Sequence, residues 1–306
     1  MHRRTVVLGL GAVALAGCTS QRADQASRTP NVATNPTSLA SSGLATQGQE
    51  ATATPPTRPA GRAPTTRFAV GTRRLALKRG ADRPLPTTVW FPKSDGPFPL
   101  IHFSHGLSAS PSSYSDLLSS WARAGFVVAA PAYPHTSAGA REFNVIDVLN
   151  QPADASYVIT QVLTETAADP QRVAAAGHSA GGVTTIGMFS SSRDERLVAG
   201  VVLAGRQVLG SPFSGAAAPL LFVHGRRDQV VGYGEGRAAY NAVPWPKAFL
   251  SVTQGGHIAT GAAFDVVSTT TTDFWRWSLY GDTAARERLG PDARRGGVAT
   301  LDDELP

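Results

Sequence analysis

Ser179 stands between two glycines in Ala176-Gly177-His178-Ser179-Ala180-Gly181, the spacing G-x-S-x-G. A serine so placed belongs at the apex of a strand-to-helix turn, in a strained conformation that lifts its hydroxyl above a sheet. Side chains two residues to either side would collide there, so Gly177 and Gly181 answer a steric need. The flanks agree: Arg172-Val173-Ala174-Ala175-Ala176 reads as a strand, and Val183-Thr184-Thr185-Ile186-Gly187-Met188-Phe189 as a helix. The chemistry to expect is attack by the hydroxyl on an acyl carbon.

A serine hydroxyl is a poor nucleophile at neutral pH unless a histidine takes its proton and an acid orients that histidine. Where such a turn crowns a mostly parallel sheet, the chain order is serine, acid, histidine. After Asp228 there is one histidine, His257, in Thr253-Gln254-Gly255-Gly256-His257 behind a strand-like run. If the order holds, His257 is the base. Four acids lie between Ser179 and His257: Asp194, Glu195, Asp228 and Glu235. The first two fall in a polar run that reads as an exposed turn, and Glu235 falls in a Gly-rich helix start. Asp228, four residues past the strand Pro219 to His224, is the best placed, with Glu235 next and an ion pair to Arg226 or Arg227 as its structural alternative. Two N–H donors are also needed for the oxyanion. The candidates are Ala180, directly after the nucleophile, and Leu107, in the turn His105-Gly106-Leu107. His102, His105, His135, His178 and His224 read as structural.

These residues need a sheet to hold them. Beyond Phe68 apolar strand-like runs alternate with helical stretches, the pattern of a mostly parallel central sheet with helices on both faces. Phe68 to Leu77 and Pro86 to Phe91 read as opening antiparallel strands, and Pro99 to Ser104 as the first buried one. Ser112 to Ala124 reads as a helix, Gly125 to Ala130 as a strand, and Pro152 to Thr166 as a helix before the strand that feeds Ser179. Strands are expected at Leu197 to Ala204, Pro219 to His224 and Lys247 to Thr253, and a closing helix over Ala262 to Tyr280. Ligands of such sheets bind at the carboxyl ends of the strands, where the candidates fall.

The first 67 residues read differently. Met1 to Arg4 are basic, and Thr5 to Gly17 form an uncharged apolar run ending Leu15-Ala16-Gly17-Cys18. A run of that length falls short of the roughly 20 residues that span a bilayer, so residues 1–17 are expected to be a secretory signal. The ending looks like a bacterial lipoprotein signal, cut before a cysteine that then carries lipid. Cys18 is the single cysteine of the chain, so no intramolecular disulfide is open to it. Arg3-Arg4 also permits twin-arginine export. Residues 18–67, rich in Ser, Thr, Ala and Pro, read as a disordered tether reaching on the order of 40 Å. The expected result is an exported catalytic domain, residues 68–306, held on the outer side of the cell membrane through lipid on Cys18.

The net charge of +6 does not argue for nucleic acid. Seven arginines against Asp24 and Glu50 lie before Phe68; the rest holds 21 basic and 20 acidic residues. The basicity belongs to signal and tether, where attraction to anionic lipid is the more natural role.

Taken together these residues resemble the α/β-hydrolase superfamily over about Phe68 to Tyr280. Arg83-Pro84-Leu85-Pro86-Thr87-Thr88-Val89-Trp90-Phe91-Pro92 and Pro97 to Gly106 resemble its dienelactone-hydrolase-like, chlorophyllase-like and platelet-activating-factor-acetylhydrolase-like branch, and Asn150-Gln151-Pro152-Ala153-Asp154 is a further local match. The resemblance implies an α/β-hydrolase fold and a carboxylic ester hydrolase using Ser179, Asp228 and His257. It implies no metal or organic cofactor, and a structural role for Asp154. The chain departs from dienelactone hydrolases in having serine, not cysteine, at position 179. It departs from cutinases and polyester hydrolases in Ala180, in Gly205-Arg206-Gln207 and in lacking paired C-terminal cysteines.

Only Gly205 to Ala218 separates two expected strands at the place where many relatives insert a lid, so no large lid domain and an open cleft are expected. Leu107, Tyr133, Phe213, Trp245 and Ile258 are the candidate apolar lining. Short to medium acyl esters are the expected substrates, without activation at a lipid interface. A peptidase or thioesterase on the same triad, or a catalytically silent binding protein of the same fold, remain the alternatives.

Overall fold

The computed structural model describes residues 62–306. The expected signal, Cys18 and most of the expected tether lie outside the described residues. The hairpin β1 (Val70–Arg79) and β2 (Arg83–Pro92) leads into β3 (Phe98–Ser104), α1 (Ser115–Arg123), β4 (Val127–Pro131) and α2 (Gln151–Glu165). There follow β5 (Ala168–His178), α3 (Ala180–Met188), β6 (Leu197–Leu203), β7 (Leu220–Gly225), α4 (Tyr233–Asn241), β8 (Lys247–Val252) and α5 (Ala262–Tyr280). The described chain closes with α6 (Thr283–Ala293) and β9 (Ala299–Glu304). The strands form one sheet in the order β1-β2-β4-β3-β5-β6-β7-β8-β9. Neighbours from β4 to β8 are parallel, and the pairings β1–β2, β2–β4 and β8–β9 are antiparallel.

A parallel sheet buried on both faces needs apolar side chains pointing both ways, which is why its strands read as continuous apolar runs. In β5, Ala174 and Ala176 face a core built with α1 and α5, where the Trp121 and Trp275 rings meet edge to face at 5.7 Å. Val173 and Ala175 face the opposite core, built with α2, α3 and α4. Small residues in the central strand let helices approach closely from both sides. The expected fold class, a mostly parallel α/β-hydrolase sheet, is the one observed.

Several local expectations change. β5 starts at Ala168, four residues earlier than its apolar run, because its polar first turn pairs with Phe98 and Pro99 before a register shift. The helix expected from Ser112 opens as a 3-10 turn, Pro111–Tyr114, before α1. Helix α4 is hidden by its glycines, one of which has a packing cause: a Cβ on Gly236 would lie 2.3 Å from His224 Nδ1. The last strand, β9, carries three acids because it is an edge strand with one face in solvent; Leu301 and Ala299 turn inward. Before Phe68, Arg276 Nη1 donates to the Pro64 carbonyl at 2.9 Å and Ala63 packs on the core. The end of the expected tether therefore already contacts the domain.

Asp154 is fully buried on α2 and joins that helix to the opening hairpin. It accepts from Arg79 Nε at 2.6 Å, from Arg83 Nε at 2.9 Å and from Arg83 Nη2. Arg83 also spans to Asp147 at 2.9 and 3.0 Å. The Asp154 hydrogen bond is the main reason the Arg83 guanidinium sits above its ordinary pKa, against the opposing effect of burial. The cluster is structural.

Candidate active site

Six parallel strands pointing one way bring the loops after β3, β5, β6, β7 and β8 to one edge of the sheet, and the site is assembled there. Ser179 joins β5 to α3 with φ 58 and ψ −119. Its N–H donates to the Leu203 carbonyl at 2.9 Å, and its carbonyl accepts from Gly182 and Val183 at 2.9 and 3.1 Å. The glycines are required by space: a Cβ at position 177 would lie 2.0 Å from the Gly181 oxygen, and one at 181 would lie 1.9 Å from the Ser104 oxygen. Among the described residues, the non-glycine positions with positive φ are Ser108, Ser179 and Ala204, all at this edge. Backbone strain of this kind persists only where surrounding structure holds it, and it clusters at functional sites.

His257 follows β8 and Asp228 follows β7. His257 Nδ1 donates to Asp228 Oδ2 at 2.8 Å. The other carboxylate oxygen accepts the Val230 and Val231 N–H groups at 2.9 and 3.0 Å. Burial, the largest single influence, pushes the Asp228 carboxyl up, but the hydrogen bonds from His257, Val231 and Val230 together outweigh it and hold it below its ordinary value. It therefore stays ionised at neutral pH, and His257 Nε2 is the ring nitrogen left to exchange a proton. Neither Arg226 nor Arg227 takes the carboxylate; the Arg226 guanidinium stacks on the Tyr233 ring, 5.3 Å from its centroid. The other acids are engaged elsewhere. Asp194, expected in an exposed turn, is buried and held by Ser156 at 2.8 Å and by Arg196, while Glu235 pairs with Arg206.

The histidine just before Ser179 does more than its sequence context suggested. His178 Nε2 donates to the His257 carbonyl at 2.8 Å, which leaves Nδ1 as acceptor for the Tyr114 hydroxyl at 2.9 Å. The Tyr114 oxygen in turn accepts the Gly106 N–H at 3.1 Å. Burial pushes His178 down to about 4, so the neutral tautomer this chain requires is the one present. Three loops, after β3, β5 and β8, are thereby tied together, and the His178 and His257 rings sit 4.7 Å apart. No spacing in the sequence signals Tyr114, whose role depends on a tertiary contact.

The turn after β3 lies against Ser179: a Cβ on Gly106 would come 3.2 Å from Ser179 Cβ. Leu107 follows it, and Ala180 opens α3; neither N–H donates to a backbone carbonyl among the described residues. His105 braces the turn, with Nδ1 2.8 Å from the Gly106 oxygen and Nε2 accepting the Tyr133 N–H at 3.1 Å. His224, 2.9 Å from the Val231 oxygen and 3.3 Å from Asp228 Oδ2, holds the acid's loop.

Beside the triad candidates a cavity of about 700 Å³ is lined by Leu107, Leu117, Leu203, Val252, Ile258 and Phe264, with His178 and His257 in its wall. Of the candidate lining residues, Leu107 and Ile258 border this cavity. Tyr133, Phe213 and Trp245 do not, and their assignment to substrate contact is corrected. Tyr133 is fully buried under the turn, its hydroxyl 2.8 Å from Ser104 Oγ. Phe213 and Trp245 pack on each other at 5.8 Å in the core on the other face of the sheet. Between β6 and β7 there is neither helix nor strand, so no lid domain is present there. Among the described residues no group of three or more His, Cys, Asp or Glu is placed to hold a metal ion, and no helix is long and apolar enough to cross a membrane.

The chlorophyllase family model matches residues 59–204, a little under half of the chain. The chain has the α/β-hydrolase fold. No curated protein matches it. The family match ends at Ala204, just after β6, so it covers the serine and the turn after β3 but stops short of Asp228 and His257. Those two are candidates from their 2.8 Å hydrogen bond and lie outside the match.

Proposed function

We propose that the chain is a serine carboxylic ester hydrolase working through an acyl-enzyme, with Ser179 as nucleophile, His257 as base and Asp228 as the orienting acid. The observation that carries this reading is the 2.8 Å His257–Asp228 hydrogen bond, with the His257 ring 4.7 Å from that of His178, the residue preceding a serine held at positive φ. His257 Nε2 takes the hydroxyl proton as Ser179 Oγ adds to the ester carbonyl. The oxyanion accepts the Ala180 and Leu107 N–H groups, each worth about 10²–10³ in turnover. Collapse breaks the C–O bond, and the alkoxide leaves with the proton from His257. Water, deprotonated by the same nitrogen, then releases the acid.

The apolar cavity supports esters with short to medium acyl groups, since pockets of roughly 300–1,000 Å³ enclose organic ligands of that order. The test is turnover of p-nitrophenyl acetate to decanoate by the purified protein, with Ser179→Ala as control. Hydrolysis of several of these esters that vanishes in the variant is expected; absence of turnover with all of them contradicts the reading. Export and lipidation belong to the same proposal and rest on the sequence around Cys18. Membrane fractions should lose the Cys18→Ser protein to the soluble fraction; unchanged association contradicts the anchor.

A further inference from the structure

Large apolar side chains on a protein surface are ordinary when scattered; a gathered set marks a contact. Nine stand exposed among the described residues, and all nine lie in the segments that directly follow parallel strands, three of them in the short 3-10 helix Val145–Leu149. Phe143, Val145 and Ile146 follow β4, Leu209 follows β6, Val230 follows β7, and Ile258 follows β8. None lies on the helical flanks or at the opposite edge of the sheet. Ile146 and Ile258 are each 68% exposed, too far out to be rim atoms of a buried core.

These loops form one surface with the mouth of the site. Ser108 N donates to the Thr136 carbonyl and Ala138 N to the Ala109 carbonyl, both at 2.8 Å, which sews the loop after β4 to the turn carrying Leu107. Asn144 N donates to the His135 carbonyl at 2.8 Å and draws in the Phe143–Ile146 stretch. Leu149 and Leu209 flank one shallow groove over α3, the helix that Ser179 caps. Leu107 and Ile258 continue the surface into the cavity itself. A macromolecular partner seated permanently on this rim would close the cavity. An occupant that is also the substrate would not.

We propose that this rim adsorbs the domain onto the surface of a water-insoluble ester in aggregated form, so that single ester molecules pass from that phase into the cavity. The proposal rests on the ester hydrolase reading and gives it a substrate class, neutral esters presented as droplets or films. Charge does not oppose it: from Phe68 onward the chain holds 21 basic and 20 acidic residues. With no lid domain to open, the rate should follow the adsorbed fraction in simple saturation, without a jump when the ester first aggregates.

The test uses the full chain, in a Cys18→Ser background so that no acyl anchor contributes. Phe143→Ser, Ile146→Ser and Leu209→Ser are combined; none of these residues lines the cavity. On dissolved p-nitrophenyl acetate the triple variant should stay within about twofold of its parent. On a tributyrin emulsion at low interfacial area its rate should fall by roughly tenfold or more, and recover as area is raised, since each lost apolar contact weakens adsorption several-fold. Equal losses on both substrates, or no loss on the emulsion, overturn the proposal. Adsorption is read separately with Ser179→Ala protein by depletion from the aqueous phase over tributyrin droplets. Depletion that the triple substitution abolishes supports the rim even if the hydrolase reading fails. Equal depletion by neutral phosphatidylcholine vesicles overturns the assignment to an ester phase.

Discussion

Two aspartates, Asp154 and Asp228, are alike in burial and unlike in company. Each side chain is withdrawn from solvent, and each carboxylate uses both oxygens. Asp154 faces two guanidinium groups, cations at every accessible pH, and its bonds fasten α2 to the β1–β2 hairpin. Asp228 faces two backbone N–H groups and the imidazoles of His257 and His224, and the second nitrogen of His257 is not taken up by the carboxylate. A permanent counter-charge makes a clamp, whereas a titratable partner beside a cavity makes a device for moving a proton. The same residue type in the same burial therefore takes its role from what it touches.

The largest effect expected is on turnover at the Asp228 end of this comparison. Ser179→Ala should lower kcat by about 10⁶ and leave the thermal midpoint close to its parent, because the serine hydroxyl holds nothing in the core. Asp228→Asn should cost about 10⁴ in kcat, since an amide donating to Nδ1 holds His257 in the wrong tautomer. Asp154→Asn should do the reverse: a stability loss of about 3 kcal/mol in urea unfolding as the arginines lose their counter-charge, with kcat per folded molecule unchanged. If Asp154→Asn also abolished kcat in protein shown to be folded, the distinction between the two carboxylates would collapse.

A smaller effect sharpens the comparison. His178→Phe keeps an aromatic ring but removes the bonds to Tyr114 and the His257 carbonyl, and should lower kcat by about 10–100-fold through misplacement of the base and the turn. A matching loss in Tyr114→Phe, and none on adding both changes together beyond the single, would identify one chain. The smallest effect is on acid stability. The Asp228 carboxyl is held below its ordinary value in the folded protein. Its contribution is present above the unfolded value near 4 and disappears as pH falls through the folded one. Asp228→Asn should therefore show a shallower fall of unfolding free energy below pH 4 than its parent.

The sheet was largely legible from the chain because its strands are apolar on both faces and its helices are not. Asp228 and His257 could be named by elimination, with four acids and one histidine in the right interval. What stayed hidden has physical causes. Helix α4 carries glycines whose use is close packing on His224, and β9 carries acids because it lies at an edge. Tyr133, Phe213 and Trp245 looked like pocket residues because an aromatic side chain reads the same in a core as in a cleft. Tyr114 and His178 were invisible as partners because a hydrogen bond 64 residues apart leaves no periodic trace.

The central claim is that Ser179 is the nucleophile, and a fluorophosphonate probe tests it most directly. Intact-mass analysis of the full-length protein should show one covalent adduct, mapped by peptide sequencing to Ser179 and absent from Ser179→Ala. An adduct that persists in Ser179→Ala, or none in protein that hydrolyses esters, would contradict the account.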